Sequence, residues 1–308
     1  MIKQLIFCWM MFYSFTADAQ NYFLAGKDSL RDKATFDSLL LEYQGGKKNY
    51  SILPAMIAKS KALKNDSLGT LLAEDYIENY LMKVNSSDRL TKQNISFINA
   101  HLHSHQSNAF IWFDRNRVAI DIVMDRKGYA SETLTNVLAS SFITPHLQAA
   151  IANHRDPNWQ LIRKAMRKKA SSDLVDMALL DAKIRWSGYH KNWLQHTKHI
   201  VQRVEKYGPF GMFSPVDWRY NDNAWTIFLK SNNQDEIKKA LVWCDSAIRI
   251  AEQPEYYDTY ANLLYKLGRV EEAIKMEEKA AFLGPNYDDI KLNLEKMKKG
   301  QPTWPLEL

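Results

Sequence analysis

No proline occurs between Pro54 and Pro145, and the 90 residues between them contain only two glycines, Gly69 and Gly128. Sheet-rich folds need turn chemistry about every ten residues, so this spacing points to a helical chain. The chain has 308 residues, 46% hydrophobic and 25% charged, which is the composition of a folded globular protein with ample length for a continuous core.

The N-terminus reads as an address. Lys3 is followed by an apolar run from Leu5 to Phe15 and then by Thr16-Ala17-Asp18-Ala19 before Gln20. A positive start, a short apolar stretch and an A-x-A site form the pattern of a secretory signal peptide, assigned to residues 1–19. The run is too short to cross a bilayer. Bulky Leu5-Ile6-Phe7 ahead of Cys8 argue against a lipid-anchored cysteine. No later segment is apolar enough to span a membrane, and the expected compartment is the periplasm. Removal of Cys8 with the signal leaves Cys244 without a disulfide partner.

The formal net charge of +6 is spread along the chain. Its one local cluster, Lys164, Arg167, Lys168 and Lys169, reads as a solvated helix face, and nucleic acid is not an expected partner.

An internal period organises the C-terminal part. Ala240 precedes Ala273 by 33 residues and Ala247 precedes Ala280 by the same interval; Ile237 matches Val270 and Ile248 matches Ala281. Each unit has an aromatic-rich first helix, a polar turn (Ser231 to Gln234, or Leu267-Gly268-Arg269) and a second helix. This pattern resembles the tetratricopeptide repeat, with its period of about 34 residues. In the second copy Tyr257, Ala261, Leu264, Gly268, Ala273, Ala280 and Pro285 take the family's positions. In the first, Phe228 replaces the small helix A residue, and Cys244 at the helix B aromatic position reads as a buried apolar group. Residues 216–299 are thus expected to form two such repeats and a capping helix beginning at Asp288, followed by a frayed polar tail, 300–308.

Residues 20–215 read as an irregular helical region. Phe36, Leu39, Leu40 and Tyr43 form one amphipathic stripe, and Leu71, Leu72, Tyr76, Tyr80 and Leu81 suggest another. Joints with capping chemistry fall at Asn65-Asp66-Ser67, at Ser86-Ser87-Asp88 where Asp88 is the expected cap, at Asp156-Pro157-Asn158 with proline in the first turn, and at Ser171-Ser172-Asp173. The expected fold is an all-α, α-solenoid-like array ending in tetratricopeptide-like helix pairs.

Leu41-Glu42-Tyr43-Gln44-Gly45-Gly46-Lys47, Ser107-Asn108-Ala109-Phe110 ahead of Asn116-Arg117, and Asp222-Asn223-Ala224-Trp225 leading into Asp258 to Tyr265 extend the likeness over most of the chain. These segments resemble the helical C-terminal half of exported bacterial thioredoxin-family proteins. The chain departs from that family in lacking any Cys-x-x-Cys. The resemblance therefore implies an extracytoplasmic helical module without dithiol chemistry.

His101-x-His103-x-His105 is the one cluster with metal-ligand character, since alternate imidazoles share a face on a strand. On a helix, residues two apart diverge, and Ile95, Phe97, Ile98 and Leu102 mark a helix starting near Ser87. The three are read as helix-terminal and loop histidines, where imidazolium would complement the helix dipole. His196 and His199 read as surface groups beside core aromatics. Glu271-Glu272 and Glu277-Glu278 read as a solvated face of helix B. The loop Tyr207 to Pro215 carries too many apolar groups to stay in water, so it packs under the repeat or forms a peptide-binding lip.

No nucleophile elbow, zinc-protease, Walker or dinucleotide motif occurs, and neither enzymatic activity nor a cofactor is expected. The expected function is a protein- or peptide-binding scaffold, with Asn223, Asn262, Tyr265 and Lys266 on helix A as contact residues. The alternatives are an accessory to a separate thioredoxin-fold redox protein, or a metal protein based on the three histidines.

Overall fold

A computed structural model describes residues 33–211 and 215–304. The proposed signal peptide and Cys8 lie outside the described residues. The protein is an all-α helical array, about 75% helical, and no strand occurs among the described residues.

The chain divides into two compact units at Ser141/Phe142, within the stretch that the sequence presents as one irregular region. The first contains α1 (Lys33–Gln44), α2 (Leu53–Ala62), α3 (Asp66–Tyr76), α4 (Ser86–Arg89), α5 (Lys92–His101), α6 (Asn108–Arg115), α7 (Arg117–Val123) and α8 (Tyr129–Leu138). The second contains α9 (Thr144–Ala152), α10 (Trp159–Met166), α11 (Ser172–Tyr189), α12 (Trp193–Tyr207), α13 (Val216–Lys230), α14 (Gln234–Ile250), α15 (Pro254–Lys266), α16 (Val270–Leu283) and α17 (Asp288–Lys298).

Asparagine begins many of these helices. Asn65, Asn85, Asn158 and Asn192 each accept a hydrogen bond from a first-turn amide, which satisfies one of the donors that a helix start leaves unpaired. At two joints this corrects the sequence expectation. Asn85 rather than Asp88 caps α4, and Pro157 stands before its helix with Asn158 as the cap. The helix expected from Ser87 is two, α4 and α5, with Thr91 capping the second.

In the first unit α3 continues into a π-helical turn, Ile77–Leu81. Leu72 and Tyr76 are buried while Leu71, about 100° round the helix from Leu72, is exposed; the wider turn then rotates the register so that Leu81 is buried and Tyr80 exposed. That turn also positions Glu78, whose carboxylate accepts from the Asn108 and Ala109 amides at the start of α6. Arg89 donates to the carbonyls of Leu81, Met82 and Val84.

In the second unit chain neighbours pack on one another from α11 onward: α11 on α12, α13 on α14, α15 on α16, and α16 on α17. Short joints between packed neighbours make the pairs antiparallel. Helices α13 and α15 also pack together, as do α12 and α14 and, at the far end, α15 and α17. Ala240, Ala247, Ala273 and Ala280 are all fully buried, so the 33-residue period marks close helix contacts in both pairs. Gly188 serves the same end between α11 and α12: a Cβ there would meet His196 Cε1 at 2.9 Å. The tail is not frayed at Trp304, whose ring packs against Phe228 and Tyr265.

Candidate functional site

Helix α13 is unusual in burying Asp217, Arg219, Asn221 and Asn223. Two of these hold the irregular segment 208–211. Asn223 Oδ1 accepts from the Phe210 amide at 2.9 Å and its Nδ2 donates to the Phe210 carbonyl at 2.8 Å. Arg219 donates to the Gly211 carbonyl, while Arg203 of α12 donates to the Gly208 carbonyl at 2.7 Å and to Asp181 at 2.6 Å. The Arg185 guanidinium lies over the Phe210 ring. Phe210 packs against the core between these helices. Of the two fates open to this loop, the described part, residues 208–211, packs.

Helix α15 lies between α14 and α16 and is addressed from both sides. From α14, the Cys244 thiol donates to the Tyr256 carbonyl at 3.0 Å, and burial pushes that thiol well up from its ordinary range. Tyr256 donates its hydroxyl to Asp217, 3.0 Å away. Burial and that carboxylate together keep the phenol protonated.

From α16 comes Glu277, the counterpart of Cys244 at the 33-residue period. It is 0% exposed, which corrects its reading as part of a solvated face. Neither of its oxygens receives a hydrogen bond from a protein donor. It faces Asp258 of α15, whose Oδ1 accepts from Asn262 Nδ2 at 2.9 Å and from Asn293 Nδ2 of α17 at 3.0 Å. Burial, then the Asp258 charge and hydrogen bond, push the Glu277 carboxyl up to about 11, and burial raises Asp258 as well. Glu271, Glu272 and Glu278 are exposed; Glu272 pairs with Arg269 and Glu278 with Lys298.

The four expected contact residues lie largely inside the fold. Asn223, Asn262 and Tyr265 are buried, and the first two spend their amides inside the fold. Lys266 is half-buried: its ammonium donates to the Phe228 carbonyl at 2.7 Å and lies 5.5 Å from the Phe228 and Trp304 rings. Burial lowers it to about 8. Side chains that do face outward on this array are Trp218, Val242, Phe282 and Tyr287. Their exposure has no counterpart in the period, so sequence reasoning missed them.

His101 ends α5, with His103 and His105 in the following loop. Among the described residues no group of three His, Cys, Asp or Glu is placed to hold a metal ion. His101 packs against Phe97, and burial lowers it to about 4, so it is a neutral imidazole rather than the dipole-complementing cation. His196 and His199 are also partly buried rather than surface groups. His196 Nδ1 bonds the Ile184 carbonyl at 2.9 Å, and burial lowers His199 to about 4.

No known protein family, curated protein or solved structure matches the chain. No helix among the described residues is long and apolar enough to cross a membrane.

Proposed function

We propose that the protein is an exported, non-enzymatic scaffold of the bacterial envelope that binds a protein or peptide through a tetratricopeptide-like array. The observation that carries this reading is the order of packing from α13 to α17, in which two helix pairs repeat their buried alanines at one spacing and a last helix closes the stack. Arrays of this kind present one row of helices to a partner while the other row supports it. The binding surface is sought among outward-facing side chains such as Trp218, since Asn223 and Asn262 are buried inside the fold.

Crosslinking in intact cells followed by mass spectrometry tests the proposal. Recovery of one stoichiometric partner, lost in a Trp218→Ala variant that still folds, is the expected result. Recovery of uncrosslinked monomer alone would count against a binding role.

A further inference from the structure

We infer that Glu277 and Asp258 form a proton-binding site, sharing one proton that ties α15 and α16 to each other and, through Asn293, to α17. The argument begins with an imbalance of donors and acceptors. A buried carboxylate needs partners, because leaving its oxygens dry and unpaired is among the costliest arrangements in a fold. Glu277 is fully buried and receives no donor at either oxygen, and Asn262 Oδ1 beside it is likewise buried without a donor. The side chain it faces is another acid, Asp258.

A proton on Glu277 resolves this. The carboxylic acid becomes a donor and Asp258 its acceptor, so the pair carries one negative charge, and two amides stabilise that charge by donating to Asp258. Other neighbours do not substitute for the proton. From α14 the Cys244 thiol lies close enough to feel the Asp258 charge; from α17 comes Asp289, a further negative charge. Cations on α16 and α17 are engaged elsewhere, Lys279 with Glu252 and Tyr257, Lys298 with Glu278 and Lys291 with Asp288. Hydroxide removing the shared proton leaves two carboxylates in contact with no cation between them. The three helices that meet there then repel.

The sign follows. An unfolded glutamate is ionised above its ordinary value of 4.5, whereas the folded site holds its proton, so folding takes up a proton. Stability from this site is complete below pH 4.5 and declines as pH rises. One proton bound on folding corresponds to about a tenfold fall in the folding equilibrium constant per pH unit. From pH 7 to 9 histidine titration is over, but the Lys266 ammonium, lowered to about 8 by burial, contributes a slope of opposite sign, so the site is read as the difference between the parent and a variant that keeps Lys266.

Infrared spectroscopy of the full chain at pH 7 is expected to show the carbonyl stretch of a protonated carboxylic acid, and Glu277→Gln is expected to abolish it. In urea unfolding at pH 7, 8 and 9, the ratio of the parent's folding constant to that of Glu277→Gln should fall about tenfold per pH unit. In Glu277→Gln, whose amide donates to Asp258 without titrating, only the opposite slope of Lys266 should remain. Hydrogen exchange corrected for intrinsic rate should show α15, α16 and α17 losing protection together toward pH 9. If the substitution prevents folding, carbon-13 NMR of the parent labelled at its glutamate carboxyls reads the same proton directly. A parent with no protonated carboxyl at pH 7, or a pH slope that Glu277→Gln leaves unchanged, overturns the inference.

Discussion

Asn223 grips the Phe210 peptide unit from both sides, which only a side-chain amide can do because it offers a donor and an acceptor together. Asn223→Ala should destabilise the protein by about 2–4 kcal/mol, since it leaves a main-chain N–H and C=O without their partners in a packed seam. Urea unfolding at pH 7 measures it. Asn223→Asp should recover only part of the loss, because the carboxylate still accepts but no longer donates. The position of this asparagine on a helix was legible in the sequence. Its partner was not, because the contact joins the helix to an irregular segment with no period. Glu277 illustrates the opposite difficulty. It lies four residues after Ala273 and three before Ala280, on the same helical stripe, and that spacing marked it as buried. Its charge and its glutamate neighbour point the other way, toward solvent, which is why the expected solvated face includes it.

The joint between α15 and α16 turns at Gly268, which has φ of 79°. The Arg269 amide reaches back to the Leu264 carbonyl there, and Gly268 itself bonds Tyr265. Gly268→Ala should therefore cost about 1–2 kcal/mol, from left-handed strain alone, with nothing within 4 Å for the methyl to strike. Gly188→Ala differs in cause. Its backbone is ordinary helix, but the methyl would collide with an imidazole held by the Ile184 carbonyl, so a loss of about 1–3 kcal/mol is expected together with a change in the His196 NMR signals. Thermal unfolding of both variants separates the two mechanisms, because Gly268→Asn should recover some stability. These elements were the most readable part of the chain: the joints, the turn glycine and the alanine stripes follow from local chemistry. The π-helical turn at Ile77–Leu81 was not readable, since the rotation it introduces depends on packing around Tyr76 and Leu81 rather than on any residue type.

Across the whole molecule, opposing titrations bound the stable pH range. His101 and His199 are held neutral by burial near a value of 4, against 6.5 when unfolded. Their contribution is complete above pH 6.5 and is lost as pH falls from there toward 4, because only the unfolded chain accepts the proton readily. Thermal unfolding from pH 4.5 to 7 should show this decline, and His101→Gln should flatten part of it. The division at Ser141/Phe142 leads to a separate expectation: residues 142–308 produced alone should keep helical circular dichroism and unfold cooperatively. The sequence located the array inside this unit but not the earlier helices that belong with it, since α11 and α12 lack the alanine spacing that reveals the later pairs.

Cys244 makes the array its own gauge. With Cys8 replaced by serine, it is the sole thiol, fully buried between α14 and α15 and pushed away from the reactive thiolate form. A thiol reagent can modify it only when those helices part. The rate of modification, compared with that in denaturant, therefore clocks how often the stack breathes open, without any inserted label and under the conditions in which a partner would bind.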